Sequence, residues 1–273
     1  MNNKKMAIGV FDSGMGGLTV LKALRAQLHQ ESFIYLGDTA RLPYGTKSPD
    51  TVKQYAMQMA RVLVERGVKV LVIACSTATT AALPHLQQML PDIPVIGVVA
   101  PGAQAAVSVT RNQRIAVIAT ETTIASEAYQ GLILKQLPKA QIATRACSVL
   151  VALAEEGMMD NAVAESALKH YLDSFKDEDT LILGCTHFPV FTALLTKILP
   201  PEVSIVDPAQ ATSKALEALL KKQNLQNDTL QNQGSVQYLV TDSIQRFQKV
   251  GALFQGQPLL QSDIELIDAC NPV

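Results

Sequence analysis

Two cysteines stand in closely similar surroundings in this chain of 273 residues. Cys75 ends the apolar run of "VLVIACSTAT" (70–79), and Cys185 ends that of "TLILGCTHFP" (180–189). A hydroxyl residue directly follows each cysteine. A free cysteine on an apolar strand is usually a packing residue, but a deprotonated thiol is a reactive group. Because the setting occurs twice, the pattern favours a functional pair.

The other arrangements that cysteines commonly form are not favoured here. Cys-x-His occurs once, at Cys185 and His187, and there is no Cys-x-x-Cys pair, so the sequence predicts no metal site. Cys147 and Cys270 lack a comparable setting, and we interpret them as structural or incidental. Four cysteines in a chain without a secretory signal indicate free thiols rather than disulfides.

The elements that would hold the two thiols are predicted by apolar runs of strand length alternating with amphipathic helical stretches. The clearest helix begins with Ser48 as its cap and Pro49 at its first position, and Gly67 ends it. Runs that are apolar throughout suit parallel strands covered on both faces, which gives an α/β fold. The nine predicted strands are 7–11, 33–36, 68–74, 95–98, 115–118, 141–144, 180–183, 204–206 and 236–240.

The chain also looks duplicated. The segment 7–14 aligns with 114–121 at an offset of 107, and the two cysteine stretches align at an offset of 110. We therefore predict two related α/β domains, with residues 1–97 plus 208–273 forming the first and residues 98–207 the second. The crossovers would lie near Pro101 and Pro208.

Ligands of open parallel sheets bind beyond the carboxyl ends of the strands. The "DSGMGG" stretch there invites a dinucleotide-binding interpretation, but the third glycine position of that fingerprint is Thr19. Asp12 would also place a carboxylate against a pyrophosphate. The other polar groups at these strand ends are Ser13, Asp38, Thr39, Cys75, Ser76, Thr77, Thr120, Cys185, Thr186 and His187.

Bulk composition excludes several classes of protein. The net charge is −1 with mixed signs along the chain, so there is no basic face for nucleic acid and no polybasic patch for a membrane surface. No stretch approaches the roughly 20 apolar residues of a spanning helix. We expect a soluble, cytoplasmic protein.

With these residues in view, the sequence resembles the glutamate racemases, a family of cofactor-independent amino-acid racemases. The resemblance runs over nearly the whole chain. It is carried by "GVFDSGMGGLTVL" (9–21), "GDTARLPYGTKS" (37–48), "IACSTA" (73–78), "LAEEG" (153–157) and "ILGCTHFP" (182–189). It implies two pseudo-symmetric α/β domains, each a mostly parallel sheet flanked by helices, with the active site at their interface.

The resemblance also implies roles for individual residues. Cys75 and Cys185 match the catalytic cysteines, with Asp12, Glu155 and His187 as supporting acid–base groups. No cofactor or metal is implied, and the expected partners are L- or D-glutamate and a second copy of the chain in a homodimer. The family supplies D-glutamate for peptidoglycan in the bacterial cytoplasm. The positions that match substrate contacts are Asp12, Ser13, Pro43, Tyr44, Gly45, Ser76, Thr77, Thr120 and Thr186.

The chain departs from the family pattern at several positions. Ser76 stands where the family usually has Asn, and a hydroxyl is shorter than an amide and offers fewer hydrogen-bond donors. Leu42 replaces a usual aromatic residue, and Ser148 and Ala152 replace usual prolines ahead of Glu155. Two alternatives remain open: a racemase acting on aspartate or another amino acid, and a non-catalytic binding protein on the same scaffold.

Overall fold

The computed structural model describes residues 3–228 and 234–269. Cys270 lies outside the described residues. Within those two ranges, none of the helices is both long and apolar enough to cross a membrane. Cys75, Cys147 and Cys185 are free thiols, as predicted, and all three are buried.

The described residues form ten strands in two separate, fully parallel sheets. All nine predicted strands are present. The tenth has only three residues, and a charged residue at its centre hides it from an apolar-run search. In chain order the strands are β1 (Ile8–Asp12), β2 (Phe33–Gly37), β3 (Val70–Ile73), β4 (Val95–Gly97), β5 (Arg114–Ala119), β6 (Gln141–Ala146), β7 (Thr180–Leu183), β8 (Ser204–Val206), β9 (Val236–Val240) and β10 (Ile264–Leu266).

The two sheets share one strand order. The first runs β10-β9-β2-β1-β3-β4 and the second runs β6-β5-β7-β8, so that β2-β1-β3-β4 corresponds to β6-β5-β7-β8. The internal similarity read from the sequence therefore has a structural counterpart, and β3 is the equivalent of β7. The strands β9 and β10 extend the first sheet only. The domain boundaries at residues 97/98 and 207/208 stay a prediction.

The helices connect successive parallel strands, as crossovers must. Ser48 caps α2 (Pro49–Glu65), since its Oγ accepts the Thr51 N–H at 3.3 Å, and Gly67 follows the helix with φ of +74°. Helix α10 (Pro208–Lys222) packs against both α1 (Leu18–Gln27) and α4 (Val99–Val109). The α-helices of the described residues are α1 (Leu18–Gln27), α2 (Pro49–Glu65), α3 (Ser76–Met89), α4 (Val99–Val109), α5 (Glu121–Ala125), α6 (Ala128–Leu134), α7 (Val149–Glu155), α8 (Ala162–Leu172), α9 (Thr192–Ile198), α10 (Pro208–Lys222) and α11 (Ile244–Gln255).

The central strands are buried along their whole length, which is the reason that their sequences are apolar throughout. Every residue of β1, β2, β3 and β7 is buried. The edge strand β6 has no fully buried residue, and its sequence is correspondingly more polar. Because all strands of a parallel sheet point the same way, the residues after β1, β3, β5 and β7 collect at common edges of the two sheets.

Candidate active site

The two predicted thiols occupy equivalent places in the two sheets. Cys75 lies two residues after the end of β3, and Cys185 lies two residues after the end of β7. Cys75 is also the N-cap of α3, where its sulfur accepts the Ala78 N–H at 3.4 Å. Both thiols are almost fully buried, with relative exposures of 5% and 8%.

Burial keeps Cys75 protonated. Loss of solvation and the nearby carboxylate of Asp12 raise the pKa of Cys75 to about 12, against an ordinary thiol value of about 8.5. The Ala78 N–H and the Ser13 hydroxyl, which lies 3.7 Å from the sulfur, act in the opposite direction. Negative charge on Cys185 raises the pKa of Cys75 further, so the two sulfurs lie within electrostatic reach of each other.

Cys185 is joined to a chain of ionisable side chains. His187 Nδ1 lies 3.7 Å from its sulfur, and His187 Nε2 lies 3.0 Å from Glu155 Oε1. Burial lowers the pKa of His187, but hydrogen bonds to Cys185 and Glu155 outweigh it and raise that pKa to about 10. His187 is therefore an imidazolium at neutral pH, and its Nδ1 faces the Cys185 sulfur.

Asp12 lies between the two halves of the site rather than on one side of it. It is fully buried at the end of β1, and its Oδ2 accepts the Gly14 N–H at 3.0 Å. Its Oδ1 accepts the Thr186 hydroxyl at 3.3 Å, and its charge acts on both Cys75 and His187. Burial raises the pKa of Asp12, whereas His187 and these hydrogen bonds lower it.

The glycines of "DSGMGG" are explained by close packing in the site. A Cβ on Gly16 would lie 2.4 Å from His187 Nδ1 and 2.6 Å from Thr186 Oγ1. A Cβ on Gly17 would lie 2.4 Å from the Cβ of Asp12. These positions thus require glycine because the ionisable groups come so close to the backbone. They need no phosphate to explain them.

Threonine hydroxyls join the two halves next to the thiols. Thr77, at the start of α3, lies 2.9 Å from Thr120 and 3.1 Å from Thr123, measured between hydroxyl oxygens. Thr122 donates to the carbonyls of Gly45 and Lys47 at 3.0 and 2.9 Å. A Cβ on Gly45 would lie 2.5 Å from that of Thr120. The predicted contacts Gly45, Thr77 and Thr120 are therefore brought together.

The loop that carries Tyr44 is held by a buried carboxylate that was only a strand-end candidate in the sequence. Asp38 is fully buried and accepts hydrogen bonds from the Tyr44 hydroxyl, from Arg41 Nε and from Thr241 Oγ1. The Arg41 guanidinium lies 4.2 Å from the centre of the Tyr55 ring. The position of Asp38 directly after β2 marked it as a strand-end candidate, but nothing in the sequence pointed to its partner Thr241, which lies 203 positions away.

The remaining predicted contacts are distributed unevenly. Ser13, Ser76 and Thr186 are buried beside the thiols, whereas Pro43 is exposed and precedes the short 3-10 helix Tyr44–Thr46. Burial raises the pKa of Tyr129 and the nearby Ser76 hydroxyl opposes that shift, yet the Tyr129 hydroxyl is buried without a hydrogen-bond partner of good geometry among the described residues. Those residues contain no cluster of three or more His, Cys, Asp or Glu suited to a metal ion.

Comparison with known proteins matches the chain to one family. The family model for Asp/Glu/hydantoin racemase covers residues 8–216. The chain is 47% identical to a glutamate racemase of Geobacter metallireducens over 93% of this chain and 94% of that protein.

Solved structures agree with the sequence comparison. A glutamate racemase isoform of Bacillus anthracis superposes with a TM-score of 0.92 at 35% identity, covering 99% of both chains. The Francisella tularensis glutamate racemase, solved in complex with D-glutamate, superposes with a TM-score of 0.90 at 36% identity, covering 97% of this chain and 98% of that one. A match of this extent in sequence and overall structure leads to one conclusion: the chain belongs to the Asp/Glu/hydantoin racemase family.

Proposed function

We propose that this racemase interconverts L- and D-glutamate, with Cys75 and Cys185 exchanging protons on opposite faces of the α-carbon. The observation that carries the proposal is the placement of two buried thiols at equivalent strand ends of two similar sheets, each with different ionisable neighbours. Glutamate is the substrate of relatives that cover nearly the whole chain.

The proposed resting protonation states are those from which the reaction of L-glutamate can start. Cys75 holds its proton at neutral pH, and the proposed reaction uses Cys185 as the base, with the positively charged His187 beside it. Starting from L-glutamate, the Cys185 sulfur takes the α-proton, so that the Cα–H bond breaks and an S–H bond forms. The Cys75 thiol then delivers its proton to the opposite face, which gives D-glutamate. The reverse reaction starts from the opposite protonation states.

The resting states must be restored after each turnover. Cys75 leaves the reaction as a thiolate and Cys185 as a thiol, so Cys185 must lose one proton and Cys75 must gain one, which both can do by exchange with water once the product has left. His187, already protonated on both ring nitrogens and held at Nε2 by Glu155, faces Cys185 as a cation. Asp12, between the two halves, is suited to hold the substrate ammonium or to pass a proton.

The developing charge on the α-carbon is stabilised by the substrate's own groups and by fixed donors. Ser13, Ser76, Thr77, Thr120 and Thr186 offer hydroxyls around the thiols, and the start of α3 offers backbone N–H groups for a carboxylate. Donors held in a dry site stabilise negative charge without reorganising during the reaction. Tyr44 and Gly45 follow Pro43 in a short 3-10 helix, and Gly45 packs closely against Thr120.

The wider role follows from the substrate. We infer that the enzyme works in the bacterial cytoplasm as a homodimer and supplies D-glutamate for peptidoglycan.

The direct test is incubation of the purified protein with L-glutamate, without pyridoxal phosphate or metal, followed by chiral analysis. Cys75→Ser and Cys185→Ser should each abolish racemisation without unfolding the protein, whereas Cys147→Ala, at a core thiol, should keep most activity. Near-normal turnover by either serine variant would rule out the two-thiol reaction. Conversion of aspartate but not glutamate would instead support the alternative that the enzyme is a racemase of another amino acid.

A finer test is α-proton exchange in deuterium oxide. A variant that retains one thiol should wash out the α-proton of only one enantiomer, because each thiol reaches one face. Equal exchange of both enantiomers by a serine variant would show that a single group serves both faces.

A further inference from the structure

The acid–base chain of Cys185 does not end at Glu155. Helix α11 follows β9, the extension strand of the first sheet, yet it contacts residues that belong with the second sheet. In its first turn, Arg246 Nη2 lies 3.7 Å from Glu155 Oε2 and 3.3 Å from Glu156 Oε1. In its last turns, the Phe254 ring meets the His187 ring edge-on at 5.2 Å between centroids.

The two oxygens of Glu155 thus face different partners. Oε1 meets His187 Nε2 at 3.0 Å, and Oε2 faces Arg246. The Glu155 side chain is only 7% exposed, whereas that of Arg246 is 47% exposed. The arginine therefore brings a positive charge from the surface to one end of a buried chain that continues through His187 to the Cys185 sulfur.

We propose that Arg246 is a positioning residue for the proton exchange at Cys185, acting through Glu155 and His187. This inference rests on the proposed function, since it assigns a role within the same reaction. Arg246 holds the Glu155 carboxylate in the orientation that its hydrogen bond to His187 needs. Arg246 belongs to the part of the chain that builds the first sheet, whereas Glu155 and His187 lie beside the second. The way in which α11 packs therefore affects the protonation of His187.

The charges around His187 define what removal of the arginine should do. The groups that face the imidazole are Cys185, Glu155 and Asp12, all acidic, while Arg246 and Glu156 lie beyond Glu155. Without Arg246 the Glu155 carboxylate is free to turn away from His187. The imidazolium then loses part of the Glu155 hydrogen bond that raises its pKa, and burial, which opposes the charged form, lowers that pKa. Loss of the arginine's positive charge alone would raise the pKa of His187, so a fall in that pKa identifies the positioning role.

The experiment compares Arg246→Gln with Arg246→Lys, which keeps the charge. The matched control is Arg61→Gln, which removes an exposed arginine paired with Glu65 at 2.8 Å on α2. The readouts are the titration of the His187 imidazole by NMR, the pH dependence of kcat/KM for glutamate, and Tm. Only four histidines occur in the chain, so the imidazole signals can be assigned one by one.

Arg246→Gln should lower the pKa of His187, move the basic limb of the rate profile to lower pH, and reduce kcat/KM about twofold to fivefold, the range of a partly exposed ion pair. Arg246→Lys should keep the His187 pKa, the rate profile and kcat/KM close to their wild-type values. Arg61→Gln should change none of them. An unchanged His187 titration in Arg246→Gln would overturn the proposal, even if Tm fell. If wild-type protein did not racemise glutamate, the proposed function would fail, but the imidazole titration would still decide whether Arg246 positions the chain.

Discussion

Gly16 offers the sharpest test of the site's geometry, because a single methyl group there would meet the acid–base machinery. In Gly16→Ala, the new Cβ would lie 2.4 Å from His187 Nδ1 and 2.6 Å from His187 Cε1. Ordinary van der Waals contact begins at 3.4 Å, so the ring or the backbone must shift by about 1 Å. Nδ1 is also the atom that meets the Cys185 sulfur at 3.7 Å.

The size of the effect follows from that displacement. A misplacement of about 1 Å in a catalytic group costs on the order of 100-fold in rate. Overpacking of this kind typically costs about 1–3 kcal/mol of stability. The variant should therefore lose about two orders of magnitude in kcat/KM for L-glutamate, measured by circular dichroism of the product. It should stay folded, as judged by its thermal transition.

The matched control is Gly131→Ala in helix α6, where nothing lies within 4 Å of an added Cβ. This substitution should leave kcat/KM unchanged and stabilise the helix by about 0.5–1 kcal/mol, because alanine is a better helix former than glycine. If Gly16→Ala retained wild-type activity with an unchanged thermal transition, the close approach of His187 to the "DSGMGG" loop would be wrong, and so would the placement of Nδ1 against Cys185.

Two further outcomes follow from buried polar groups. The pKa of His187 is raised from about 6.5 to about 10. Its contribution to the free energy of unfolding should therefore be complete below pH 6.5 and decline as the pH rises from there to about 10. Urea unfolding across this range should show the decline, and the His187→Asn variant should show a flatter pH dependence. The buried Tyr129 hydroxyl has no hydrogen-bond partner of good geometry in the described part of the chain, a state that costs about 1–3 kcal/mol, so Tyr129→Phe should leave Tm unchanged or raise it; a clear fall in Tm would show that a neighbour such as Ser76 does bond it.

Much of the architecture is determined locally by the sequence. Strands such as β1, β3 and β7 are apolar throughout because both of their faces are covered, and that pattern was sufficient to predict them. Ser48 sets the start of α2 as its N-cap, and Gly67 sets its end because it adopts a positive φ. By contrast, β10 has Glu265 at its centre, and this residue pairs with Arg66 on the surface. No apolar run therefore predicts β10.

The sequence by itself determined that two thiols end equivalent strands, since that follows from residue type, run length and an internal offset. Only the tertiary structure decided which groups set their protonation. Glu155 meets His187 across 32 positions, and Asp12 meets Thr186 across 174. The contact of Arg246 with Glu155 likewise depends on how α11 docks on the second half. Such contacts depend on how crossovers and helices pack, whereas sequence periodicity reports only the face that a residue occupies on its own element.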